Sequence, residues 1–396
     1  METLPCCRPA VGTGAGVCYP TWAMSLGRLI IADSEKNADL YYATRFLAPD
    51  PFIFAQVDGR RVVVMSDLEL DRARAQARGV EVLSYAKLAR EAKRGDAEPT
   101  LMDVVDGLLR GHGVKALEVP AGFGVAHADA LRERGYELHP KPDPFFPERM
   151  VKTEEEIALI TESLRITEDG LACAIELIRN AQIKPDGILW IGGKPLTAEL
   201  VRRAMHLTML ERGCLGQHTI VAPGAQGVDP HNEGSGPLRA NEPIVIDVFP
   251  QHVGHRYFAD LTRTVVKGRA SDKVRRMFEA VRAGQEIAYG MIRDGVDGSA
   301  IHQAILDAFD RQGFATGEQG GRMQGFFHGT GHGVGLEIHE PPRISARPDT
   351  LKAGMVVTVE PGLYYLDAGG MRIEDMAVVT RDGCRVLTTA PKVLEV

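Results

Sequence analysis

Residues 328–340 read HGTGHGVGLEIHE, and any fold for this chain has to accommodate that stretch. His328, His332 and His339 fall in it together with Glu337 and Glu340, separated by Gly329, Gly331, Gly333 and Gly335. Glycine at alternate positions lets a backbone come closer to another group than any side chain would permit. Imidazoles bind zinc, manganese, cobalt or iron, and they titrate near neutrality. Taken alone, the stretch also fits a glycine-rich turn carrying surface histidines, so its meaning depends on what accompanies it.

What accompanies it is a set of acids set against apolar runs. Asp247 ends PIVID, Asp260 opens DLTRTVV, Glu360 ends MVVTVE, and Glu374 lies in GMRIEDMAVV, where an acid inside a strand is expected. A hairpin through Gly254 is expected to bring Asp247 and Asp260 face to face. A carboxylate among buried β-branched residues loses hydration and needs a cation or a metal in return. Four such acids with one imidazole call for more positive charge than a single ion pair supplies. Two divalent cations meet that need, and an oxygen-rich set with one nitrogen suits manganese, cobalt, iron or zinc. A cation pair about 3.5–4 Å apart can hold a hydroxide and clamp both sides of a hydrolytic transition state.

The motifs IVIDVF, ADLTRTVV, HGTGHGVGLEIHE, GMVVTVEPGLY and MRIEDMAVV, in that order, resemble those of the pita-bread metallopeptidase family M24. NADLYYATRF, nearer the start, resembles the amino-terminal domain of the creatinase and prolidase branch. The resemblance implies an α/β amino-terminal domain followed by an α+β pita-bread catalytic domain. It implies five metal ligands: Asp247 on one cation, His332 and Glu360 on the other, Asp260 and Glu374 bridging. A metal-bridging hydroxide would then attack the scissile carbonyl, with Glu360 taking and passing its proton. His231 in VDPHNEGSG matches a residue lining the substrate site, and His328 and His339 match residues that hold the substrate and the developing oxyanion. Arg372 matches an arginine that anchors a ligand by a charge-assisted bond. The native metal implied is manganese, with cobalt, zinc or iron as alternatives, and the assembly implied is a homodimer. One departure stands out: in DVFPQHVGHRYFAD, Phe249 replaces the family's usual glycine and the hairpin is slightly longer.

At 396 residues two domains are expected. Residues 1–24 are rich in proline, glycine and cysteine, without the charged start and apolar run of a secretory signal, and read as a disordered extension. Residues 25–148 alternate short strands (28–32, 52–57, 61–65, 80–83, 115–119) with helical windows (67–77, 86–94, 100–111, 125–134), the pattern of a mixed α/β sheet. The prolines of HPKPDPFFPERM, residues 139–150, mark the linker. Residues 149–396 then begin with a helix capped by Thr153 and Glu156, and further helices are expected over 197–212, 271–294 and 299–312, packed on a curved antiparallel sheet.

A net charge of −7 without a long basic run argues against a nucleic-acid partner. No apolar stretch approaches the ~18 residues that span a bilayer. Cys6, Cys7, Cys18, Cys173, Cys214 and Cys384 form no C-x-x-C pair, and a reducing cytoplasm fits such usage. Three functions remain in view. The first is an exopeptidase cleaving the bond before proline in a small peptide, as Xaa-Pro dipeptidase or Xaa-Pro aminopeptidase. The second is a metal-dependent C–N hydrolase or lyase acting on a small osmolyte-type molecule. The third is a binding module without catalysis, which the intact ligand set disfavours.

Overall fold

The computed structural model describes residues 26–93 and 95–396, so the expected extension over residues 1–24 lies outside the described residues. The chain divides into two compact units, one ending at Pro142 and the other spanning Asp143–Val396. The division falls inside the proline-rich segment.

The first unit is a six-stranded sheet with helices between its strands. Its strands are β1 (Leu26–Ala32), β2 (Phe52–Val57), β3 (Arg60–Met65), β4 (Glu81–Ser84), β5 (Ala116–Pro120) and β6 (Glu137–Lys141), in the order β4-β3-β2-β1-β5-β6. β1 runs antiparallel to β2 and parallel to β5, which makes the sheet mixed. Asp58 and Gly59 both have positive φ, 48° and 78°, the geometry that tight β2–β3 hairpins select. The helices are α1 (Ala38–Thr44), α2 (Leu70–Gln76), α3 (Tyr85–Ala92), α4 (Leu101–Arg110) and α5 (Val125–Glu133). Val105 and Leu109 of α4 are fully buried in one cluster with Leu29, Ile53 and Leu117 of the sheet. The sequence pattern misses α1 and β6 for physical reasons. α1 is short and depends on Asn37, whose side chain caps Leu40 N–H at 2.7 Å. β6 is a polar edge strand carrying Pro140, and it pairs only with β5.

The second unit opens with α6 (Glu154–Asn180), and its first turn is fixed by a capping box. Glu156 N–H donates to Thr153 Oγ1 at 3.2 Å, while Thr153 N–H donates to Glu156 Oε2 at 2.9 Å. Such a cap contributes on the order of 1 kcal/mol. Helices α7 (Ala198–Leu210), α8 (Asp272–Met291) and α9 (Gly298–Arg311) follow, with Thr197 and Ser271 as N-caps just outside the first two.

Three of the unit's antiparallel sheets position the residues of interest. The first joins β7 (Ile220–Pro223), β8 (Pro243–Val248) and β9 (Leu261–Val266). The second is built from β10 (Gly331–Gly333), β11 (Glu340–Ile344) and β12 (Val356–Val359), followed after an intervening hairpin by two further strands. That hairpin, the third sheet, pairs β13 (Gly362–Tyr365) with β14 (Gly369–Arg372). The remaining strands are β15 (Asp375–Val379) and β16 (Cys384–Val386), giving the order β11-β10-β12-β15-β16. Met277 and Val281 of α8 and Ile305 and Phe309 of α9 close over Val357, Val359, Met371 and Ile373, forming the core beneath these sheets. Each fully buried side chain of this kind stabilises the unit by roughly 1.5–3 kcal/mol.

Two expectations need correction. Asp247 lies opposite Thr262, not Asp260, and the ladder ends at Val248–Leu261. Pro250 lacks an N–H, and Gln251–His252 turn away to pair with Cys214–Leu215, so Asp260 sits just past the ladder on Asp247's diagonal. Glu374 is not inside a strand. Residues 373 and 374 form a break where the chain leaves β14 and joins the sheet of β12 as β15.

Candidate active site

All of the residues expected at the site line one cavity of about 770 Å³: Asp247, Asp260, His332, Glu360 and Glu374, with His231, His328, His339 and Arg372. Each arrives on a different edge of the fold. Asp247 is near the end of β8 and Asp260 just before β9, while Glu360 follows β12 directly and Glu374 fills the β14–β15 break. His332 sits in β10, and its glycine neighbours let that strand in. A Cβ on Gly331 would meet Thr358 O at 2.0 Å, and one on Gly333 would meet Pro341 O at 2.2 Å. The glycines therefore serve close strand contact.

The electrostatics set these acids apart. Asp260 and Glu374 are pushed well above the usual carboxylate range, first by burial and then by neighbouring carboxylates. Burial raises Glu360 to about 7, with the charge of Asp247 adding and Arg372 opposing. Asp247 Oδ2 accepts from Arg372 Nη2 at 2.7 Å, yet its Oδ1 is buried without a partner. Glu374 repeats the arrangement: Thr262 Oγ1 donates to Oε2 at 2.8 Å, and Oε1 is buried and partnerless. Buried acceptors are ordinarily satisfied, so two orphaned carboxylate oxygens in one cavity wall fit the binding of a cation.

The imidazole fits the same reading. His332 Nδ1 lies 3.1 Å from Gly333 O, which can only accept, so Nδ1 carries the proton. The Nε2 lone pair is left facing Glu360 Oε1 at 3.4 Å and Asp260 Oδ2 at 3.6 Å. Burial and the neighbouring His339 lower this ring to about 3, keeping it neutral as a ligand must be. Ligating atoms of Asp260, His332 and Glu374 all lie within 4.8 Å of one another. The donor set fits divalent cations. A second group, Glu162, His252 and His255, fits them poorly. His252 Nδ1 accepts from Gly254 N–H at 3.1 Å and His255 Nδ1 from Tyr257 N–H at 3.3 Å, so both Nε2 atoms carry hydrogens. Their rings stack in parallel at 3.8 Å, which aims no lone pairs at a common point.

Around the acids runs a network that the sequence only partly foretells. Arg372 Nη1 donates to Tyr364 Oη at 2.7 Å, and Tyr364 Oη lies 2.9 Å from His328 Nε2. His328 Nδ1 is 2.8 Å from Gly329 O and must donate there, so Nε2 accepts the tyrosine hydroxyl. Both His328 nitrogens are thus engaged by the protein, and burial beside Arg372 lowers the ring to about 3. His339 packs edge-on against His332 at 4.4 Å, and His231 is exposed on the cavity wall. Thr262, Tyr364 and Arg343 were not singled out by sequence. Thr262 lies two residues from Asp260 along one strand face, a signal that was available; Tyr364 and Arg343 carried none. Arg343 is exposed on the cavity wall, and among the described residues its guanidinium has no ion-pair partner.

Known proteins resemble this chain along most of its length. Residues 158–381 match the model of metallopeptidase family M24. An Xaa-Pro dipeptidase of Pyrococcus furiosus is 32% identical over 248 residues, 62% of this chain and 65% of that protein. The solved structure of an Xaa-Pro dipeptidase from Bacillus anthracis superposes with a TM-score of 0.78 at 25% identity, covering 94% of this chain and 95% of the other. An X-Pro aminopeptidase from Thermotoga maritima MSB8 gives 0.77 at 25% identity, over 94% and 98%. The match extends over more than half of the chain and encloses every acid and histidine gathered at the cavity; the chain belongs to metallopeptidase family M24 and has its pita-bread fold.

Proposed function

We propose that this metallopeptidase is an exopeptidase that cleaves the bond before proline in short peptides, holding two divalent cations, manganese foremost, through Asp247, Asp260, His332, Glu360 and Glu374. The pair of orphaned oxygens, Asp247 Oδ1 and Glu374 Oε1, carries the metal part of the reading. The dipeptidase and aminopeptidase relatives support the substrate class. Bound cations would supply Lewis-acid polarisation of the carbonyl and an activated water.

The chain's own groups then have distinct tasks. The Glu360 carboxylate takes the proton released by the attacking water and delivers it to the departing proline nitrogen. Arg372 holds Asp247 in place and, through Tyr364, orients His328. With both nitrogens engaged, His328 shapes the pocket, which leaves His339 to donate to the developing oxyanion and His231 to line the substrate's path. Arg343, cationic and without an ion-pair partner among the described residues, suits the terminal carboxylate of a short peptide. The family resemblance adds a homodimer, and the cysteine usage fits a reducing cytoplasm. Among the described residues, no helix is long and apolar enough to cross a membrane.

The test is hydrolysis of Ala-Pro and Ala-Pro-Ala by the manganese-loaded protein, with Asp260→Asn alongside. Cleavage of the dipeptide only, abolished in the variant, marks a dipeptidase; cleavage of the tripeptide marks an aminopeptidase. Silence on both with metal bound overturns the peptidase reading in favour of C–N bond cleavage in a small non-peptide molecule.

A further inference from the structure

His339 is held differently from its neighbours. His328 is fixed through both ring nitrogens and His332 through Nδ1. Among the described residues, nothing hydrogen-bonds the His339 ring. Its place over His332 therefore depends on the backbone that carries it, the turn from Gly335 to Glu340.

That turn is wrapped around a buried charge. The Glu340 side chain is 1% exposed, and its Oε2 lies 2.8 Å from Lys152 Nζ, itself 1% exposed. Oε1 lies 3.2 Å from Arg149 Nη2, whose side chain is 2% exposed, and accepts Glu337 N–H at 3.1 Å. The carboxylate fills the concavity so closely that a Cβ on Gly335 would meet it at 2.5 Å. Arg149 also reaches Glu337 on the outer side of the turn. From the other side, Phe258 N–H donates to Gly335 O at 2.8 Å, tying the turn to the segment that leads to Asp260. Two cations from the start of the second unit thus grip one carboxylate in the residue next to His339. An ion cluster this deep contributes little net stability compared with apolar packing of the same shape. Its geometric effect is to leave the turn one conformation, since any other strands a buried charge.

We propose that Glu340, clamped by Lys152 and Arg149, is a positioning residue that fixes His339 for the reaction. The proposal rests on the peptidase reading for its kinetic consequence, but the clamp has a consequence that needs no substrate. In the full-length protein, Glu340→Gln is expected to speed amide exchange across residues 334–341 at least ~10-fold, with the core strands unchanged. The partly exposed Glu337→Gln serves as a control expected to leave it within about twofold. Unchanged exchange in Glu340→Gln overturns the clamp whatever the enzyme cleaves.

Kinetics on Ala-Pro then read the link to His339. Glu340→Gln is expected to lower kcat by roughly 10–100-fold with KM and bound metal near wild type, the scale of a misplaced catalytic group. Combined with His339→Ala, it should cost little beyond His339→Ala alone, because both act through one ring. Multiplying losses would show a general structural role and overturn the proposal. If Glu340→Gln does not fold, Lys152→Met in the same cycle reads the same outcomes, with Lys152→Arg expected to restore most of kcat. Faster exchange with a wild type inert towards peptides would sink the substrate assignment and leave the clamp standing.

Discussion

Glu374 and Asp375 are adjacent in sequence, and both are 2% exposed, yet they solve opposite problems. Asp375 is surrounded by donors: Arg263 Nη2 at 2.8 Å, Lys392 Nζ at 2.7 Å and Tyr289 Oη at 2.6 Å. Despite burial, its carboxyl is held below the usual range by those charges. Glu374 faces the cavity beside Asp260 and Glu360, keeps one oxygen without a partner, and is pushed upward. The first arrangement is complete within the chain. The second leaves a carboxylate oxygen uncompensated within the chain, which the proposed cations would satisfy. The difference teaches how to tell a structural acid from a candidate metal ligand: burial is the same, and the compensation is not.

Four measurements would break or sharpen that contrast. The largest expected effect is on turnover: Asp260→Asn should lose at least ~10³-fold in kcat/KM, about 4 kcal/mol of transition-state stabilisation, read on Ala-Pro. Next, the same class of change should have opposite signs at the two acids in metal-free protein. Asp375→Asn strands Arg263 and Lys392 and should cost about 3–5 kcal/mol in urea unfolding, whereas Asp260→Asn should stabilise the metal-free chain by roughly 1–3 kcal/mol. Equal losses at both positions would erase the distinction. Third, chelation should lower the unfolding free energy of the wild type by about 2.7 kcal/mol when free metal had stood at 100 times its Kd, and should leave Glu374→Gln nearly unmoved. The smallest effect belongs to a cavity residue without charge. Phe249→Gly should leave metal content and stability within about 1 kcal/mol and shift KM among first-residue variants of Xaa-Pro by no more than ~10-fold.

The sequence made the chemistry legible where residue type and position coincide. Asp247 and Glu360 lie at the ends of apolar runs, and the glycines flanking His332 mark close strand contacts, so the proposed ligand set stood out. Capped helices were equally plain, as Thr153 and Glu156 show. What escaped was set by register and by long-range partners. Nothing local says that Pro250 and the Gln251–His252 pairing would slide Asp260 off Asp247 onto its diagonal. The engagement of both His328 nitrogens depends on Tyr364, 36 residues away, and the charge buried at Glu340 depends on Lys152, 188 residues away. Motif patterns find groups that do chemistry; they miss the groups that hold those in place.

The break at residues 373 and 374 has a bearing on which length changes this chain can tolerate. One residue separates the cavity acid proposed to meet a cation from the acid that pairs with Arg263 and Lys392. Removing or adding a single residue there would exchange their addresses, putting the wrong carboxylate at each and moving every side chain of β15 to the opposite face. A substitution along this strand changes one position; a shift in reading length changes them all. Libraries that vary this enzyme by insertion and deletion should therefore recover survivors in the hairpin around Gly254 and almost none between Arg372 and Asp375.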